Sequence, residues 1–299
     1  PTRPPTPMPE TQMSQPVNFS LRGLFKLVRF GNLVMVGLTQ YLAAIFLCQP
    51  HSNWYSTLTD LRLFLLSSST IMIAAAGYMI NDYYDVKIDY INKPDQVVVG
   101  RLLKRRMVMV YHMLLNGLAL AMGYYLSREI ALVHLGSIFL LWLYSNQLKR
   151  LALLGNFVIA LLTGASVAVL VLLYPSNHIL VLIYAIFAAS ISLIREVIKD
   201  MEDMRGDAAY GSKTLPIVLG MRKTKWVLFI LSGLFIVILV VLSFPLQNTT
   251  LQLFFGLLLL PVGLFLYWLW RADTKHHYSR LSNFAKLIML TGILSMLFF

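Results

Sequence analysis

The chain has 299 residues, 58% of them hydrophobic and 13% charged, where an ordinary soluble domain carries about 25% charged residues. That balance leaves too little polar surface to cover a water-soluble core, so part of the solvent is expected to be lipid. A single cysteine, Cys48, excludes an intramolecular disulfide and any two-cysteine metal motif, while the net charge of +12 would suit nucleic acid only if it were gathered on one face.

The first twenty residues hold six of the twelve prolines and few apolar side chains. Residues 1–20 therefore read as a disordered tail, with no basic region leading into a short apolar core and cleavage site. A single membrane domain is expected over residues 21–299. From Asn32 onward, apolar stretches of about 20 residues alternate with short polar breaks, the length a helix needs to cross the hydrocarbon. Nine spans are predicted, at 31–49, 62–80, 107–126, 130–148, 154–174, 178–198, 225–245, 250–270 and 282–299. Because the runs are continuously apolar rather than alternating, the fold class is all-α, a multi-pass helical bundle and not a barrel.

Lysine and arginine set the orientation. With the N-terminus on the cytoplasmic side, 23 of the 25 basic residues fall on inner segments and adjoining helix ends, leaving Arg62 and Arg128 outside. Topology thus accounts for the positive charge, and no nucleic-acid partner is expected. The predicted location is the cell (inner) membrane.

Between the second and third spans the chain reads NDYYDVKID, Asn81 to Asp89. After the sixth it reads KDMEDMRGD, Lys199 to Asp207. Asp82, Asp85 and Asp89 are spaced i, i+3, i+7, and Asp200, Asp203 and Asp207 repeat that spacing 118 residues later. The two hosts are four spans apart, so the chain reads as two four-helix halves plus a ninth helix, an internal repeat that often places a site at its junction. If each cluster continues its helix, its carboxylates share one face within about 60° of arc. Aspartates massed this way repel unless cations sit among them. Hard oxygen ligands without clustered histidine or cysteine suit Mg²⁺, which bridges readily to phosphates.

Base surrounds the acid. Lys87, Lys93, Arg101, Lys104 and Arg105 follow the first motif, and Lys199, Arg205 and Lys213 surround the second. Acid for a metal and base for phosphate at a membrane surface predict a diphosphate site. A calcium loop fits poorly, since its alternating ligands and central glycine are missing. A proton or cation relay would favour acids within the spans, and none of the span middles holds one. An aromatic face stabilises a cation beside it. Tyr83, Tyr84, Tyr144 and Tyr210 lie at the right depth, where interfacial tyrosines also anchor. Lys149 and Arg150 form a candidate phosphate clamp between spans 4 and 5.

NDYYDVKID resembles the N-D-x-x-D-x-x-x-D motif of the UbiA superfamily of intramembrane prenyltransferases. DMEDMRGDAAYGSKTLP is similar to its second motif, with Asp203 and Asp207 on the D-x-x-x-D pair, Asp200 as an extra upstream aspartate and Lys213 on the lysine of the G-x-K segment. The likeness runs from about Arg29 to the C-terminus. It implies a bundle with a central cavity capped by two acidic cytoplasmic loops. The implied activity is Mg²⁺-dependent transfer of an isoprenoid from a polyprenyl diphosphate, geranylgeranyl diphosphate first, to a lipophilic acceptor within membrane lipid. The implied catalytic set is Asn81, Asp82, Asp85, Asp89, Asp200, Asp203 and Asp207; of these, Asn81, Asp85, Asp89, Asp203 and Asp207 would face the metal. Substrate contacts would come from Arg29, Asn32, Arg101, Tyr144, Lys149, Tyr210 and Lys213.

Within the superfamily, LVRFGNLVMVGLTQYL, INKPDQVVVG and YSNQLKRLALLGNFVIA look most like the branch that prenylates geranylgeranylglyceryl phosphate. This chain has Gln96, Val97, Val98, Val99 and Gly100 where that branch carries R-P-x-P-S-G. Prenylation of an aromatic quinone precursor and terpene cyclisation on the same scaffold therefore stay open, as does a non-enzymatic cation or lipid transporter.

Overall fold

The computed structural model describes residues 21–50, 53–174, 178–243 and 249–299. The tail expected at 1–20, and the predicted end of the seventh span, lie outside the described residues. Nine helices long and apolar enough to cross a membrane occur among the described residues. They are α1 (Phe30–Cys48), α2 (Leu61–Asn92), α3 (Arg105–Leu126), α4 (Arg128–Asn146), α5 (Leu154–Leu173), α6 (His178–Ala209), α7 (Met221–Val241), α8 (Gln252–Arg271) and α9 (Lys275–Phe298).

Polar breaks start these helices by capping them. Asp60 accepts from Arg62 N ahead of α2, Ser127 from Ile130 N ahead of α4, and Thr274 from His277 N ahead of α9, each satisfying a backbone donor that lacks an intrahelical partner. Outward-facing side chains are large and apolar, among them Leu132, Ile230 and Leu260, each at least 68% exposed. Such a surface is at home in lipid and would aggregate in water. Between helices, small residues and polar pairs replace the hydrophobic drive that lipid removes. Gly164 lies against Ala185 and Ala189. Gln40 Nε2 donates to Thr70 Oγ1 at 3.1 Å and to Ser166 O at 2.7 Å, tying α1 to α2 and α5. Thr163 and Ser192 share a hydrogen bond of 3.1 Å between α5 and α6.

The two halves meet through α2 and α6, which pack on each other, while α9 packs on both α6 and α1 and closes the bundle. Both central helices are 32 residues long, about 48 Å at 1.5 Å per residue, against a hydrocarbon layer of about 30 Å. Hydropathy alone ends these spans at 80 and 198. Helix continues instead through both acidic motifs, because no proline interrupts them. Pro94 then holds Lys93 out of helical geometry. Past α6, Gly211 takes a positive φ of 71° while Ser212 N bonds back to Asp207 O. The acidic motifs are thus helix tips, which corrects the expectation that acidic loops cap the cavity.

Candidate active site

Six aspartates in one place need a scaffold that holds the two helix tips level. Asn92, the last residue of α2, supplies it. Its Oδ1 accepts from Gly206 N of α6 at 2.9 Å. Lys275 of α9 donates to the Asn92 carbonyl. A Cβ at position 206 would stand 2.5 Å from Asn92 Nδ2, so only glycine lets the buried amide lie against the α6 backbone. Gly206→Ala is expected to push Asn92 aside and splay the tips, at about 1–3 kcal/mol for overpacking. A melting curve in detergent unchanged from the parent protein would show the clasp to be dispensable.

The result is that the triads sense each other. Asp89 lies within electrostatic reach of Asp203, and Asp207 within reach of Asp85. Basic and amide groups then hold individual carboxylates. Lys149 Nζ, from the turn between α4 and α5, sits 2.5 Å from Asp85 Oδ1. Gly155 makes room for that turn, since a Cβ there would meet the Lys149 backbone at 2.8 Å. Asp203 is held by Lys199 at 2.5 Å and by Lys93 at 3.3 Å, with Glu202 3.6 Å from both lysines. Burial and the adjacent Lys199 ammonium pull Lys93 below the ordinary lysine pKa, against the opposing pull of Asp203 and Glu202. Lys93 is thus an under-solvated ammonium that gains from an incoming anion. Asp200 accepts from Asn156 Nδ2 at 2.9 Å, and Asp82 from Arg29 at 3.1 Å. Arg29 holds a left-handed backbone, φ 51°, in the break before α1, and its guanidinium lies 4.8 Å over the Tyr78 ring.

The oxygens of the two triads suit a hard divalent cation. Asn81 Oδ1 is buried without a hydrogen-bond partner, and the carboxylates of Asp89 and Asp207 form no ion pair among the described residues. No three acidic or histidine side chains are gathered tightly enough to hold a metal by themselves among the described residues. Mg²⁺ is commonly bound by one or two carboxylates, with water and substrate phosphate supplying the rest. The donor set has that character.

Beneath the triads lies a cavity of about 620 Å³. Arg29, Asn32, Asn81, Tyr144 and Glu196 line its acidic end, and Phe235, Leu239, Phe255 and Leu258 line it deeper in the bundle. Arg29 joins the two regions, touching Asp82 as well as the cavity. Asn32 donates to Tyr78 OH at 3.1 Å, and Tyr144 lies within reach of Glu196, Asp200 and Asp85. Other expected contacts do not line the cavity. Arg101 donates to Pro94 O in its own loop at 3.2 Å. Tyr210 is 45% exposed, and Lys213 is exposed, with its backbone N bonded to Arg150 O at 2.7 Å. The Tyr83 ring lies under Arg105, and the Tyr84 ring faces Lys149. Of the four tyrosines singled out, Tyr144 lines the cavity.

Sequence reasoning missed Arg195, Glu196, Asn283 and Lys286, all on the cavity wall. Glu196 stands near a predicted span end at 198, but with α6 running to Ala209 it lies well inside a helix. A signal was present, since Lys286 interrupts the apolar run after Phe284. Asn92 and Asn156 gave none, because a lone asparagine looks like any polar residue.

A sequence model of the UbiA prenyltransferase family matches residues 38–290. Over 165 residues the chain is 39% identical to a digeranylgeranylglyceryl phosphate synthase of Methanothermobacter thermautotrophicus, a match covering 54% of this chain and spanning 58% of that relative's length. A digeranylgeranylglyceryl phosphate synthase of Natronomonas pharaonis is 32% identical over 232 residues, 76% of this chain and 77% of the relative. A solved UbiA homolog from Archaeoglobus fulgidus, bound to GPP and Mg²⁺, shares the fold with a TM-score of 0.66 over 92% of this chain and 99% of that one, at 14% identity.

Proposed function

Because the chain belongs to the UbiA prenyltransferase family, we propose that it transfers a polyprenyl group from an allylic diphosphate to a lipophilic acceptor inside the membrane, with Mg²⁺ as cofactor. The reading rests above all on two equivalent aspartate triads set over a cavity that turns apolar with depth, with Arg29 bonded to Asp82 and lining that cavity. Asn81, Asp85 and Asp89 of α2 and Asp203 and Asp207 of α6 would hold Mg²⁺, which would supply charge neutralisation for the departing diphosphate. Lys93, Lys149 and Lys199 add positive charge where the leaving oxygens collect it. Each is paired with an aspartate in this structure, so each has a position fixed before substrate arrives. The apolar walls exclude water from the allylic cation, and the Tyr144 ring faces the chamber in which it forms.

Geranylgeranylglyceryl phosphate is the favoured acceptor, and geranylgeranyl diphosphate the favoured donor. Two relatives carry the name of the corresponding synthase, and Arg29 and Asn32 supply polar contacts at the cavity's acidic end. Purified protein given geranylgeranyl diphosphate and Mg²⁺ should release pyrophosphate and prenylate geranylgeranylglyceryl phosphate, and not naphthoates or hydroxybenzoates. Terpene hydrocarbon or alcohol formed in quantity without acceptor would instead mean cyclisation. No pyrophosphate release with any acceptor would leave transport.

The acidic end faces the cytoplasm, following the lysine and arginine distribution. In a background lacking Cys48, cysteines at Gln96 and Lys223 should react with impermeant reagents only from the cytoplasmic side, and cysteines at Asn53 and Glu129 only from the other. All four positions are exposed. Labelling of positions 96 and 223 from different sides would contradict a shared site.

A further inference from the structure

Lys286 lies eleven residues into α9 and puts an ammonium on the cavity wall. At 1.5 Å per residue it is about 16 Å beyond Lys275, whose own ammonium reaches Asn92 at the helix tips. Asn81 is the same number of residues back from Asn92, so Lys286 sits level with Asn81 and deeper than the aspartates of α2. A cation on the inner wall of a membrane bundle is costly and is kept where it meets an anion or a polar path. Lys286 has no ion-pair partner among the described residues.

The charged groups around Lys286 are mostly of its own sign. Arg29, Arg195 and Lys199 lie within electrostatic reach, with Glu196 as the opposing carboxylate. Glu196 is engaged by Arg195 Nη1 at 2.5 Å, and the Arg195 Nε is buried without a hydrogen-bond partner among the described residues. Arg29 spends one arm on Asp82. Asn283, three residues before Lys286 on the same helix face, adds an amide to the wall. Among the described residues, the Lys286 ammonium and the Arg195 Nε are left over after these pairings. They face a chamber, not bulk water. A guanidinium, an ammonium and an amide converging on one space suit a dianionic phosphate, whose several oxygens use more donors than a carboxylate does.

We propose that Lys286 and Arg195, with Arg29 and Asn283, seat the phosphate monoester of the acceptor lipid, separately from the seat of the allylic diphosphate at the aspartate triads. This rests on the prenyl-transfer reading and adds to it the feature by which the acceptor is selected. The lipid's phosphate docks on the α6 and α9 wall, its chain follows the apolar lining, and its free hydroxyl is left near Tyr144 and the departing diphosphate. Neutral glycerol lipids of the same chain length lack the group that satisfies Lys286 and are discriminated against.

The test is equilibrium binding to the detergent-solubilised full chain, without metal, of geranylgeranylglyceryl phosphate and of geranylgeranylglycerol. The parent protein should prefer the phosphate form by about tenfold or more, the scale of charge-assisted hydrogen bonds. Lys286→Met should reduce the preference to about twofold or less and Lys286→Arg should retain it. Affinity for a non-hydrolysable allylic diphosphate analogue with Mg²⁺ should be unchanged by Lys286→Met. Lys286→Gln gives the same reading should the methionine variant fold poorly. Absence of preference in the parent, its survival in Lys286→Met, or selective weakening of the diphosphate analogue would each overturn the assignment. Intact preference without any prenyl transfer would instead overturn the proposed function and leave this seat standing.

Discussion

Asp85→Asn and Asp203→Asn are each expected to lower turnover by about a thousandfold or more while leaving a folded, inserted protein. Losing a single electrostatic stabiliser typically costs about 10²- to 10³-fold. Here each change removes more than one. It takes away a metal-facing carboxylate and also frees the lysines that carboxylate positions, Lys149 for Asp85 and both Lys93 and Lys199 for Asp203. Asparagine keeps the shape and one oxygen, so packing of the helix tips survives. The stranded ammonium is the main hazard, since the Lys149 side chain is 9% exposed and an unpaired buried charge is strongly destabilising. Asp85→Asn combined with Lys149→Met answers it, because the pair restores neutrality and folding without restoring turnover. Pyrophosphate release from an allylic diphosphate, with size-exclusion behaviour in detergent, reads both effects. Activity near the parent level in either single variant would remove that aspartate from the metal site.

Much of this arrangement is legible in the amino-acid sequence itself. The apolar runs announce nine spans because lipid imposes a length, and lysine and arginine indicate orientation because the membrane sorts them. The spacing of Asp82, Asp85 and Asp89 and its repeat at Asp200, Asp203 and Asp207 point to two one-faced acidic helices. Hydropathy, however, marks where lipid ends rather than where helix ends. The last twelve residues of α2 and the last eleven of α6 thus look like loops by hydropathy, although their backbone remains helical.

Pairings between distant residues are not legible at all. Lys149 reaches Asp85 across 64 positions and Asn156 reaches Asp200 across 44, and only the packing of α2, α5 and α6 brings them together. Arg101 and Tyr210 show the same limit from the other side. Closeness to a motif in sequence does not decide which side chains reach the cavity, and neither of these lines it. Arg195 and Lys286 are hidden by the orientation argument itself. Both belong to the inner basic residues that set topology, and that role leaves no reason to ask whether they also face a chamber.

The central claim is that both triads serve one diphosphate. Asp89 sensing Asp203, and Asp207 sensing Asp85, place them within one electrostatic neighbourhood, and the Asn92–Gly206 clasp holds the tips level. If one leaving group must be neutralised from both sides, losing either triad forfeits most of the stabilisation and losing the second forfeits little more. Residues acting as a unit are strongly non-additive in this way. Two separate sites, as in a transporter with one cation path per half, would give independent losses. The measurement that decides is a double-mutant cycle on initial rates for Asp85→Asn and Asp203→Asn at saturating Mg²⁺. The shared site predicts a double variant only slightly slower than either single variant; losses that multiply strictly would contradict it.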